Sequence, residues 1–99
     1  MELKNIVDYR EGEKVSKVIL DSPNHGALIC MAFDKGLELP VHSTDSNVIV
    51  QLIDGECEFT VEGRPCVLKE GDFLTLAPNT KHSLKAIQRF KILLTKINA

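Results

Sequence analysis

Hydrophobic positions in this chain fall in short runs separated by clusters of glycine, proline, asparagine and aspartate, the rhythm of strands and turns. Lys14–Leu20 is rich in β-branched residues and reads as a strand. Asp21-Ser22-Pro23-Asn24-His25-Gly26 turns it. Ala27–Phe33 follows as an almost continuous apolar run, of a length that suits a strand buried on both faces, with a short helix the alternative that periodicity alone leaves open. Leu37–His42 alternates but carries Pro40, which assigns it to an edge strand or an extended loop. Val48–Ile53 is the strongest strand pattern, and the Asp54-Gly55 pair after it is a hairpin signal. Glu56–Val61 alternates with Cys57, Phe59 and Val61 inward, and Glu62-Gly63 predicts a second hairpin into Arg64–Leu68. Phe73–Leu76, Lys81–Ile87 and Phe90–Ile97 are further strands, separated by Ala77-Pro78-Asn79-Thr80 and Gln88-Arg89. Residues 1–13 are ambiguous: Leu3, Ile6 and Val7 fit one turn of helix or a short edge strand.

The pattern predicts an all-β protein of antiparallel strands, one domain over residues 1–99, closed on itself enough to hide most sheet edges. Composition narrows the class. A hydrophobic share of 43% with 26% charged residues is that of a folded globular chain and not of a disordered one. The net charge is −2 and the basic residues are scattered, so there is no electrostatic footprint for nucleic acid. The apolar runs are too short to span a membrane, and the N-terminus lacks the features of a signal peptide, so a cytoplasmic protein is expected. Cys30, Cys57 and Cys66 are odd in number and widely spaced; they are expected to be buried, reduced thiols.

Candidate chemistry centres on two histidines. His82 lies on one strand face with Leu84 and Ala86, while Lys81 and Lys85 take the other face and are expected to be solvated. His42 follows Pro40 at the end of the edge segment. His25 sits in a turn and is expected to be exposed. Gly36-x5-His42 running on to Gly55 resembles the first motif of the cupin superfamily. Gly71-Asp72 leading to Pro78-Asn79-Thr80-Lys81-His82 resembles the second. The resemblance spans roughly residues 26–97, with motif one at 36–55 and motif two at 71–86. It implies a double-stranded β-helix of the jelly-roll kind; a lipocalin-like up-and-down barrel fits the length and the two-motif spacing less well.

The resemblance also implies where a metal would sit. Cupin metal sites use three histidines and a carboxylate. Here His42 and His82 occupy the first and third histidine positions, but Thr44 takes the second, Val48 takes the glutamate, and Thr80 takes the second-motif glycine. A facial triad needs a carboxylate beside its two histidines. The expected function is therefore small-molecule binding in a barrel pocket lined by His42, Thr44, Val48, Val50, His82 and Leu84. The alternative is a metal-dependent enzyme, dioxygenase- or isomerase-like, holding iron, manganese, zinc or nickel on His42 and His82; catalysis and cofactor stay open, with the metal as the minority reading. A stand-alone sensor acting through a partner is a third reading. Ile49 and Ile53 make the outer face of their strand apolar as well, and a symmetric homodimer is the expected cover.

Overall fold

The computed structural model describes residues 2–98 of the chain. Its strands are β1 (Lys14–Ser22), β2 (Gly26–Phe33), β3 (Glu38–His42), β4 (Ser46–Val61), β5 (Arg64–Lys69), β6 (Phe73–Leu76), β7 (His82–Lys85) and β8 (Phe90–Asn98). Leu3–Asn5 form a single 3-10 turn, the helical of the two readings of the N-terminus. Every ladder is antiparallel, as the turn pattern predicts. The first half of β4 lies between β8 and β6, in a sheet that continues through β2 to β1. Its second half lies between β7 and β5, in a sheet that continues from β7 to β3. This is an all-β, double-stranded β-helix of the jelly-roll kind, and β1 and β3 are the free ends of the strand path.

One expected turn is corrected. Asp54-Gly55 does not turn the chain; β4 runs straight through it. The reason is a phase change. Val48, Val50 and Leu52 are buried on even positions, Cys57 and Phe59 on odd ones. A continuous strand can bury both sets on one side only if one residue is inserted between them, and the ladder to β8 slips between Leu52 and Asp54. Gly55 sits at that bulge with φ +81°, and a Cβ there would overlap the Arg89 carbonyl. Gly55 is thus a bulge glycine with the β8 backbone pressed against it, where a hairpin glycine was expected. Glu62-Gly63 is a true two-residue hairpin: both have positive φ, 49° and 77°, which suits the right-handed twist of the flanking strands.

The core fills the space between the two halves. Phe33 and Phe90 are cross-strand partners and stack with centroids 4.6 Å apart, alongside buried Leu52, Cys57 and Leu68. Burial pushes the Cys57 thiol up to about 12, so it is an uncharged apolar filler at neutral pH. Cys30 is buried too, but Cys66 is exposed, against expectation: β5 pairs with β4 alone and buries only Leu68.

A second apolar cluster lies on the outer face. Ile6, Val7 and Tyr9 pack there over Cys30, Ala32, Leu93 and Ile53. Tyr9 donates its hydroxyl to Asp54 Oδ2 at 2.9 Å, and the buried Lys91 ammonium donates to the Lys4 carbonyl. Arg89 stacks over the Tyr9 ring at 4.5 Å and pairs with Asp34 at 3.2 Å. The chain's own N-terminal segment therefore covers Ile53, part of the face for which a second copy was expected. Among the described residues no helix is long and apolar enough to cross a membrane.

The bulge makes a sharp prediction. Gly63→Ala meets no neighbour and is expected to lose roughly 1–2 kcal/mol from its left-handed backbone alone. Gly55→Ala adds overlap with the Arg89 carbonyl, for a further ~1–3 kcal/mol. Urea denaturation of the two variants checks this, and equal midpoints would refute the bulge argument.

Candidate functional site

The two sheets leave a cavity of about 450 Å³ between them. Its geometry starts from β3 and β7, whose register sets His42 directly opposite His82. The ladder slips between Leu39 and His42, where Pro40 has no N–H to contribute. The two imidazoles meet edge to face, centroids 4.2 Å apart and planes at 61°. Phe59 of β4 stacks on the other side of His82 at 5.8 Å. His82 is buried, held between the Phe59 ring and its histidine partner, while His42 is exposed at the rim.

Both histidines are oriented in the same way. His82 Nδ1 is 2.9 Å from the Thr80 carbonyl, and His42 Nδ1 is 3.0 Å from the Pro40 carbonyl. A carbonyl only accepts, so Nδ1 carries the hydrogen in each ring and Nε2 of the neutral ring is an acceptor. Burial lowers the pKa of His82, outweighing the Thr80 hydrogen bond that raises it, and the neighbouring His42 lowers it further. His82 is therefore a neutral hydrogen-bond acceptor at neutral pH.

The six residues singled out from the sequence all lie on this cavity: His42, Thr44, Val48, Val50, His82 and Leu84. The sequence reading passed over its other wall. Ile29 and Met31 of β2 and Ile92 and Leu94 of β8 form that wall's apolar surface, and Lys14, Ser16 and Lys96 reach it as well. β2 is apolar at nearly every position, so its sequence carries no alternation to say which face looks inward. Lys96 had a signal, since Phe90, Ile92, Leu94 and Lys96 keep strict alternation along β8. The lysines expected to be solvated, Lys81 and Lys85, are exposed, as is His25.

The metal site implied by the resemblance needs four ligands, and the residues present do not supply them. Thr44 and Val48 flank the histidines, and among the described residues no group of three His, Cys, Asp or Glu side chains could hold a metal ion. The donor set ends at two imidazoles, short of the three protein ligands usual for a catalytic zinc or the triad usual for iron.

The sequence pattern of the AraC-like ligand binding domain matches residues 32–98. No curated protein matches the chain. A conserved protein of unknown function from Streptococcus pyogenes superposes with a TM-score of 0.93 at 21% identity, over 100% of this chain and 86% of that one. A cupin superfamily protein from Desulfitobacterium hafniense superposes at 0.94 and 18% identity, over 100% and 90%. At these identities the likeness is one of fold. A cupin 2 conserved barrel domain protein from Leptotrichia buccalis is 32% identical with a TM-score of 0.90, over 96% of this chain and 46% of that one, so this chain spans about half of it.

His82 gives the site a pH signature. Its native pKa lies below the ordinary histidine value of about 6.5, so on acidification the unfolded chain takes up this proton first. The contribution is present in full above about pH 6.5 and is lost as pH falls through the native value. The urea midpoint is expected to decline as pH falls below about 6.5, before the carboxylates begin to titrate. His82→Leu is expected to flatten the decline, and an unchanged slope would rule out His82 as its source.

Proposed function

The chain belongs to the family of AraC-like ligand-binding domains and is a small cupin, and we propose that it binds a small organic molecule in the cavity bounded by His42, Thr44, Val48, Val50, His82 and Leu84. The observation that carries this reading is the pairing of an apolar cavity of about 450 Å³ with two imidazoles of fixed tautomer at its wall. Pockets of a few hundred Å³, mostly apolar with a few polar groups of set direction, are the usual form of small-molecule sites. Apolar surface supplies affinity by leaving water, and the Nε2 acceptors of His42 and His82 supply direction to a ligand hydroxyl or N–H.

The metal-dependent enzyme is the second reading, and its support is limited to the His42–His82 pair. Its test is direct. Stoichiometric iron, manganese, zinc or nickel in the purified protein, lost when both histidines become alanine, would favour the enzyme over the binder.

A homodimer and a cytoplasmic setting belong to the same proposal. Three free thiols suit a reducing compartment. For the dimer the support lies on β1, a nine-residue strand paired on one side only, with Val18 58% and Leu20 60% exposed. β1 begins with Lys14 and Lys17 and ends with Asp21. An antiparallel second copy of β1 therefore brings basic and acidic ends together. Light scattering is expected to give twice the chain mass at micromolar concentration, reduced to one chain by Leu20→Lys; a monomeric native protein would overturn the dimer.

Binding is tested by thermal melts against a panel of organic acids, sugars and aromatic metabolites, with Thr44→Trp as a plug at the cavity rim. At one hundred times its Kd a ligand adds about 2.7 kcal/mol. That is on the order of 10 °C or more for a domain of this size. Such a shift is expected in the native protein and not in Thr44→Trp; equal shifts in both would move binding away from this cavity.

A further inference from the structure

The cavity carries one sign of charge. The chain has 14 acidic and 12 basic side chains, yet among the described residues Lys14 and Lys96 are the only Asp, Glu, Lys or Arg residues lining the cavity. The two lysines have different explanations. Lys14 is on β1, and an inward charge on an edge strand is a common guard against unwanted strand pairing. Lys96 has no such excuse. β8 is paired on both sides, with β2 and with β4, and Lys96 sits opposite Ala27 and Val48. Directly opposed residues of an antiparallel ladder share a face. Lys96 therefore extends the inward row of Ile92 and Leu94, a row that is otherwise apolar. Among the described residues the ion pairs are Arg10–Glu13 and Arg89–Asp34, and Lys96 has no carboxylate partner.

An unpaired ammonium beside an apolar wall has unmet attraction for an anion, stronger than in bulk water because the wall lowers the local dielectric. The Lys96 stem suits the same place, since a lysine lays its methylenes on apolar surface and holds its charge at the water boundary. Among the described residues no arginine lines the cavity, so the bidentate fork that favours phosphate is lacking, and a single ammonium fits a carboxylate. We propose that the cavity takes an apolar-bodied carboxylate, its head at Lys96 and its hydrocarbon body along Leu94, Val50 and Met31. This deepens, and rests on, the small-molecule reading above. Lys14 adds long-range attraction at the β1 edge and no direct grip.

Three probes share one hydrocarbon body and differ in the head: octanoate, octan-1-ol and octylamine, titrated calorimetrically at pH 7.5. Octanoate is expected to bind about tenfold tighter than octan-1-ol, a difference of ~1.4 kcal/mol, and octylamine not to bind measurably. Lys96→Gln is expected to bring octanoate down to the octan-1-ol level while leaving octan-1-ol unchanged. Lys14→Gln is expected to change octanoate affinity less than about threefold and to weaken mainly its salt dependence. Octanoate and octan-1-ol binding alike in the native protein, or octanoate unaffected by Lys96→Gln, would overturn the carboxylate assignment. If none of the three binds while another compound gives a shift abolished by Thr44→Trp, the carboxylate fails and the cavity reading stands. If no compound does so, both fall.

Discussion

One strand has to serve two sheets that face each other, and the structure depends on how β4 does it. A strand alternates with period two, so it can present its apolar side to one layer only. β4 spends its first half beside β8 and β6 and its second half beside β7 and β5. The inserted residue between Leu52 and Cys57 resets the alternation, so that Val50 and Phe59 both point into the same interior although their positions differ in parity. Gly55 makes this possible twice over, through its positive φ and through the absence of a side chain where the Arg89 carbonyl lies. Without that reset one half of β4 would turn its valines or its Phe59 to water. His82, which rests on Phe59, would lose the surface that buries it.

The strand path that the bulge permits does not close. β1 and β3 remain its two ends, and the cavity is lined from both: Lys14 and Ser16 on one side, Leu39, Pro40 and His42 on the other. Tight packing is concentrated elsewhere, around Phe33, Phe90, Leu52 and Cys57, and the outer face is sealed by the N-terminal segment through Tyr9 and Lys91. The fold is thus filled where its strands are paired on both sides and open where pairing runs out. This is why His42, His82, Lys14 and Lys96 come together at the cavity, while the packed core around Phe33 and Phe90 is apolar.

Much of this was legible in the sequence, and the misses have physical causes. Short apolar runs and turn residues gave the strands, and Gly36–Gly55 with Gly71–His82 gave the barrel. The facing of His42 and His82 follows from that frame. Asp54-Gly55 was misread because a hairpin and a bulge use the same residues, both needing positive φ. The discriminating signal was there in the shift of apolar residues from even to odd positions, which a hairpin does not require. Cys66 was misjudged because a thiol's burial depends on whether its strand has a neighbour on each side, which local sequence does not encode. Met31 and Ile29 were invisible as cavity residues because β2 is apolar on both faces, with Cys30 and Ala32 equally buried under the N-terminal segment.

One position at which the chain departs from the cupin metal pattern also bears on the sign of the cavity's charge. Val48 stands where the resemblance puts a glutamate, and its cross-strand partner on β8 is Lys96. A carboxylate at 48 would lie opposite the ammonium, and the pair would neutralise each other beside the histidines. With valine there, among the described residues the histidine pair has no carboxylate to complete a metal site, and Lys96 forms no ion pair. The same replacement that removes a place for a cation therefore leaves a place for an anion. His82 fits this arrangement, because an imidazole kept neutral by burial adds no competing positive charge and leaves Lys96 as the fixed cationic group of that wall. Valine at 48 thus leaves the histidine pair short of a carboxylate and leaves Lys96 facing the carboxylate proposed for the cavity.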